Sequence, residues 1–281
     1  MWIWDSRTHQ FITSKALEKC TTPFSNLLNI HQELFILGIE APDRIFKDFT
    51  NHYYNCTPND FGVHTGSVIN KIASEIEHIR QMLQNPDQII LHHNIAPFLS
   101  ALLDTPLKAF IFEVGVLSHY VADLHQPMHT DGKYRFADEE TVHKIIEADT
   151  RLHLNDFEIN LARRYRISDP PGFFTFQIYE INGFYDNLVD RYYLSTGKVK
   201  NDRWENSKGI IESCLSTASQ NITNVLLEFE IATKIFKQQL KNAKLLSKIK
   251  KSIKPDKHYR LIKYPSGSIS LRRSKHEKDY E

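Results

Sequence analysis

The chain has 281 residues, 41% hydrophobic and 11% aromatic, enough for a sizeable core in one large or two small domains. Its net charge of +1 is divided unevenly: residues 233–281 carry 15 Lys and Arg against 4 Asp and Glu, so the tail stands at +11 and the remainder at −10. Three cysteines without a CxxC pair argue against a disulfide framework, and no apolar run reaches the ~18 residues of a membrane span.

Helical periodicity dominates, and only 10 glycines point away from an all-β fold. The stretch "RTHQFITSKALEKC" (7–20) predicts an amphipathic helix with Phe11, Ile12, Ala16 and Leu17 on one side. "LLNIHQELFILG" (27–38) predicts a second that ends at Gly38. "SVINKIASEIEHIRQMLQ" (67–84) predicts a third, with Ile69, Ile72, Ile76 and Ile79 spaced by three and four. "PLKAFIFEVGVLSHYVADLH" (106–125) opens on a proline and stops before Pro127. A long helix is predicted over 138–165, a break at "DPPGFF" (169–174), and a C-terminal helix from Trp204 to Lys251, continuous or interrupted. "YRLIKY" and "SISLRR" alternate on either side of Pro-Ser-Gly, the pattern of a hairpin. The reading is an all-α, multi-helix bundle over 1–232 with a small basic extension, helix and hairpin, over 233–281. The start "MWIWDSRTHQ" lacks a basic stretch followed by an apolar one, so the expected location is cytoplasmic.

Fourteen histidines, about 5% of the chain and roughly twice an ordinary share, lean toward metal, because neutral imidazole is the commonest metal ligand. Three of them and one aspartate fall within "SHYVADLHQPMH" (118–129). His119 and Asp123 are four apart and share one helical face. Pro127 ends that helix and lets His129 bend back toward them. His143 and Glu147 repeat the spacing further on. One such pair is better explained by a core histidine bonded to a carboxylate. The whole set is a stronger sign, since a bundle interior takes buried charge only when it is paired or bound to metal. His31, His64, His92 and His93 read as surface or capping residues, and His125 as exposed or behind the ligands.

These residues carry a resemblance. "HYVADLHQPMH" is similar to the H-Y-x-x-D-x-x-Q-P-M-H motif of the bacterial zinc-dependent phospholipases C, and the fungal single-strand-specific zinc nucleases of the same all-α superfamily have a similar one. "HKIIE" resembles the family's next H-x-x-x-E, at a phospholipase-like distance. Upstream, "GIEAPDRIFKDFTNHYYN" resembles the family's aspartate followed by "HFYD", which places Asp43 and His52. "WDSRTHQFI" resembles its Trp-then-His opening, which places Trp4 and His9. The resemblance covers roughly residues 4–232 and implies a zinc cluster in a cleft. One ion would take Asp43, His52, His119 and Asp123; a second His129, His143 and Glu147; a third His9, Asp123 and the backbone of Trp4. In secreted members the tryptophan is the amino terminus and its free amine binds metal. Here Met1, Trp2 and Ile3 precede Trp4, so two zinc ions are implied, and three if Trp4 contributes.

Imidazole nitrogen with carboxylate oxygen, and no thiolate, suits zinc on chemistry alone. The implied activity is hydrolysis of phospholipid or a related phosphodiester by metal-activated water, with Asp43 orienting that water. A nuclease or nucleotidase is the alternative within the superfamily. Against it, the interval between His129 and His143 lacks the nucleases' Gly-Gly-Asn stretch, and an acidic body suits nucleic acid poorly. A zinc-stabilised helical protein without activity is the third reading. Arg7 and Arg44 stand where choline-selective phospholipases have an acid and an aromatic, while Phe49 keeps an aromatic, so weak preference for phosphatidylcholine is expected. Lys237, Lys241, Lys244, Lys248 and Lys251 recur at three and four, a basic stripe suited to an anionic membrane, with a merely solvated helix as the plain alternative.

Overall fold

The most buried helix follows from the most apolar run. Pro106 starts α6 (Pro106–Leu124), and the Thr105 side chain caps it by accepting from the Lys108 N–H at 3.3 Å. Pro127 cannot continue the ladder, so the chain leaves through a short 3-10 turn, Pro127–His129. The computed structural model describes residues 5–91, 97–131, 139–194, 196, 198–252, 259–263 and 269–273. Two compact units result, Met1–Lys237 and Gln238–Glu281.

In the first unit α1 (Ser6–Leu17), α3 (Gln32–Ala41), α4 (Val68–Gln84) and α10 (Arg203–Phe229) pack around α6. The α3 crossing is closest because two glycines meet there. A Cβ on Gly38 would collide with the Phe112 carbonyl, and one on Gly115 with the Phe35 carbonyl. Gly38 is therefore no helix stop, as its position in the sequence had suggested. The helix runs on to Ala41, and the glycine is there for close approach. The stretch read as one helix over 27–38 is also two, since α2 (Thr22–Asn29) ends before His31 starts α3.

Three further expectations are corrected. The helix predicted over 138–165 is α7 (Glu139–Leu152), followed by a 3-10 turn, Leu154–Asp156, and an extended stretch. That stretch buries Phe157 and Ile167 and is tied to α10: the Tyr165 N–H donates to Asn224 at 3.2 Å, and Arg164 pairs with Glu230, just beyond the helix. These tertiary bonds override helical propensity. "DPPGFF" is a helix start and not a break, with Asp169 capping α8 (Pro170–Asn182) and proline in its first turn. The C-terminal run is interrupted, as α10, α11 (Ala232–Ile235) and α12 (Lys237–Ser252). Two short helices had no clear signal, α5 (Pro97–Leu102) and α9 (Tyr185–Tyr192).

The second unit holds α12 beyond its first residue and an antiparallel hairpin of β1 (Tyr259–Lys263) and β2 (Ile269–Arg273), in the register Leu261 opposite Leu271. The alternation on each side of Pro-Ser-Gly predicted this hairpin. No helix among the described residues is long and apolar enough to cross a membrane.

Candidate metal centre

Polar side chains gather where α6 meets α1 and α3. His119 and Asp123, one turn apart, are both fully buried. The Ile39 carbonyl fixes His119 by accepting from Nδ1–H at 2.8 Å, so Nε2 is the atom presented to the site. That nitrogen lies 3.0 Å from Asp123 Oδ2, 3.2 Å from His52 Nδ1 and 3.4 Å from Asp43 Oδ1.

Asp43 reaches the site because Pro42 has no N–H. The α3 ladder cannot pass through it, and the chain widens into a single π turn, Pro42–Phe46, closed by Lys47 at φ 50°. His52 follows on a loop held by Asp48, which accepts from the Tyr120 hydroxyl at 2.9 Å and from the Asn51 amide.

Asp123 is the hub. Its Oδ2 is 2.6 Å from His52 Nδ1, while its Oδ1 is 3.3 Å from His9 Nε2 and 3.8 Å from His129 Nδ1. His9, from α1, stacks on His119 with ring centroids 4.1 Å apart. On the other side His143 Nε2 lies 2.8 Å from Glu147 Oε1, and the His129 and His143 rings are 5.0 Å apart. Three sets have all donor atoms within 4.8 Å of one another: His9–Asp43–His119, His52–His119–Asp123 and His129–His143–Glu147.

All eight side chains singled out in the sequence thus converge. Trp4 lies outside the described residues, as do His92 and His93. Asp5 caps α1 and pairs with Arg151 at 3.0 Å. His125 is not exposed: it is buried behind the site, donating to the Val121 carbonyl at 2.7 Å and accepting from Asn221 at 2.8 Å. His64 stacks on Tyr54, and His31 precedes the first turn of α3. Pattern reading missed Asp48, the Ile39 carbonyl and Gln126, whose amide is 2.8 Å from His143 Nε2. Gln126 sits inside the motif, but nothing in the spacing marks Asp48 or a main-chain oxygen.

The donor set fits zinc. Both nitrogens of His129, Nδ1 of His9 and Oδ1 of Asp43 are buried without a hydrogen-bond partner, a costly condition that a bound cation removes. Donors about 2.0–2.1 Å from a tetrahedral ion stand roughly 3.3 Å apart, and the spacings around His119 Nε2 bracket that value. Burial, aided by the charge on His119, lowers the His9 pKa, and burial pushes His129 down to about 3, so both imidazoles keep a lone pair at neutral pH. For His119 burial also opposes charge, but Asp123 and Asp43 outweigh it and raise the pKa to about 10. Burial and the nearby carboxylates raise Glu147 well above its usual range. The pocket calls for positive charge, and a divalent ion supplies more of it than the proton on His119.

A family model described as zinc-dependent phospholipase C matches residues 8–208, a span that includes all eight side chains. Among solved structures, the alpha-toxin of Clostridium perfringens from an avian strain is similar with a TM-score of 0.51 at 14% identity, covering 81% of this chain and 65% of that one. The alpha toxin from Clostridium absonum is similar with a TM-score of 0.53 at 11% identity, covering 99% of this chain and 80% of that one. At such identities the likeness is one of fold, and the chain spans 65% of the length of the first. No curated protein matches the chain in sequence.

Proposed function

Since the chain belongs to the zinc-dependent phospholipase C family, we propose that it hydrolyses the phosphodiester of a phospholipid or a closely related compound. The observation that carries this reading is the convergence of eight side chains on three donor sets, two of which share His119. Asp43, His52, His119 and Asp123 would hold one ion, His129, His143 and Glu147 a second, and His9 with Asp123 would contribute to a third. Zinc, when bound, supplies Lewis acidity toward phosphoryl oxygens and lowers the pKa of a water toward about 7.

We assign Asp43 to orienting the attacking water. It is 11% exposed, more open than the four histidines around Asp123, and its Oδ1 has no hydrogen-bond partner. Attack is in line on phosphorus, and cleavage of the phospholipase C type releases a diacylglycerol and a phosphorylated headgroup. Arg7 and Arg44 favour anionic or small headgroups over choline, because a guanidinium repels trimethylammonium and pairs with an anion. Arg44 is 64% exposed and already bonded to Glu40 at 2.7 Å, so Arg7, exposed in the first turn of α1, is the freer of the two charges. The basic stripe of α12 would add attraction to an anionic membrane.

The test is elemental analysis of protein purified without added zinc, together with a headgroup panel. At least two zinc ions per chain and release of phosphorylated headgroup are expected. Well under one ion, with no hydrolysis after reconstitution, overturns the reading. Phosphatidylcholine as the clear best substrate overturns the headgroup assignment.

A further inference from the structure

We propose that residues 52–66 form an interfacial finger whose tip, Phe61 and Val63, enters the headgroup–acyl boundary of a lipid surface and seats the metal centre on it. The inference rests on the phospholipid reading above. The finger starts at the ligand His52, and its base is zipped to the segment that carries another ligand. The Tyr54 N–H donates to the His129 carbonyl at 3.0 Å, and the Cys56 N–H to the Thr130 carbonyl at 2.8 Å. The Asn55 N–H donates to the Thr65 carbonyl at 2.8 Å, which closes the two sides on each other.

The tip is apolar, outward and held. Phe61 is 90% exposed and Val63 55%. Asn59 Oδ1 accepts from the N–H groups of both, each at 3.0 Å. The Asn59 N–H donates to the Val63 carbonyl at 3.0 Å, and Gly62 takes the turn at φ 73°. A tip closed this way does not fold its phenyl ring back onto the body. Such exposure carries a free-energy cost in water that burial in a partner removes.

The partner is a fluid apolar layer, on three grounds. The tip projects, so a protein partner would need a matching pocket, whereas a lipid surface does not. The stretch 55–66 has one acid, Asp60, and no Lys or Arg, so attachment is not ionic. And the apolar surface continues beside it. On α8, Phe176 and Tyr179 are three apart on one outward face, 61% and 46% exposed. The Cys56 thiol reaches the Ile178 carbonyl of α8 at 3.9 Å, and Asn182 of the same helix donates to the Thr130 carbonyl at 3.1 Å. Finger and α8 are both anchored to the backbone beside His129, so a surface gripped by their aromatic rings has a fixed relation to the metal centre.

The experiment sediments the zinc-loaded full chain with phosphatidylcholine vesicles in 1 M salt, where the Debye length is about 3 Å and lysine attraction is screened. Phe61→Ser with Val63→Ser should weaken vesicle binding about tenfold or more, since about 1.4 kcal/mol of lost burial is tenfold. Hydrolysis of a short-chain phospholipid below its micellar concentration should be unchanged. Phe61→Trp should keep binding, and its emission should shift to the blue when vesicles are added. Equal sedimentation of the double variant, or an unshifted Trp emission, overturns the finger. So does a wild-type dimer that Phe61→Ser dissolves into monomers, because the occupant of the tip is then a second copy. Sedimentation needs no turnover, so a zinc-loaded chain that binds vesicles through Phe61 yet releases phosphorylated headgroup from no member of the headgroup panel upholds the finger and overturns the phospholipase reading.

Discussion

Asp123 has no spare oxygen: Oδ2 faces His52 and His119, and Oδ1 faces His9 and His129. Asp123→Asn should therefore lower zinc content by more than one ion and hydrolysis by more than the roughly 100-fold that loss of an outer hydrogen-bond partner costs. His31→Ala, beside an exposed glutamate at the start of α3, should change neither. Elemental analysis and initial rates on a soluble substrate separate the two, and like behaviour of both variants removes the assignment. His125 makes a different prediction. Burial holds its pKa at about 4 in the folded chain against 6.5 in the unfolded one, so the unfolded state takes the proton first. Stability is lost as pH falls from about 6.5 to 4 and levels off below, by on the order of 3 kcal/mol. Denaturant melts across that range should show a slope shallower by one proton for His125→Gln, whose amide still accepts from Asn221. Of the eight side chains, His119, Asp123, His143 and Glu147 were legible from helical spacing and His129 from the turn after Pro127, whereas Asp43, His52 and His9 lie at no such spacing and were placed only by the resemblance. Asp48 was legible by neither route, since an aspartate that braces a tyrosine hydroxyl has no pattern to announce it.

Helices α3 and α6 cross at a contact without side chains, Gly38 against Gly115. Gly115→Ala drives a methyl group into the Phe35 carbonyl and should destabilise the bundle by about 2–3 kcal/mol. For a unit of this size that lowers the Tm by roughly 5–10 °C. The shift of α3 also draws the Ile39 carbonyl away from His119 Nδ1, so zinc affinity should fall along with the Tm, whereas Gly209→Ala, whose new methyl meets open space, should lower neither. Thermal melts with and without chelator check both statements. The same crossing explains one failure of pattern reading. A glycine after an apolar run looks like a helix end, and only the partner helix shows it to be a close approach. The overlong helix predicted past Leu152 failed for a related reason, because Glu158, Tyr165 and Arg164 are held by acceptors on α10 and just beyond it that local propensity does not see.

Charge is legible at the scale of the whole molecule: residues 233–281 stand at +11 against −10 for the rest. If the stripe on α12 works as an anchor, replacing Lys237, Lys241, Lys244, Lys248 and Lys251 by glutamine should weaken binding to anionic vesicles by about 1 kcal/mol per lysine at low salt. The loss should fade as salt rises, and hydrolysis of a soluble phosphodiester should stay the same. Equal sedimentation of both proteins across the salt series makes the stripe a solvated face.

The donor sets also differ in how far apart in the chain their members lie, which gives the centre an order of assembly. His129, His143 and Glu147 are near neighbours and can meet as soon as α7 forms, whereas every set with His119 needs a residue from before α4. His9 waits longest. It rides on α1, which packs against α10 as well as α6, so a helix made before the rest of the bundle settles only after residue 203 and beyond have been made. Closing such long loops is slow, and an ion bound across them favours only the finished fold. A nascent chain would therefore fill its centre from the α7 end toward α1, and full zinc occupancy would mark a chain whose two ends of the bundle have already met.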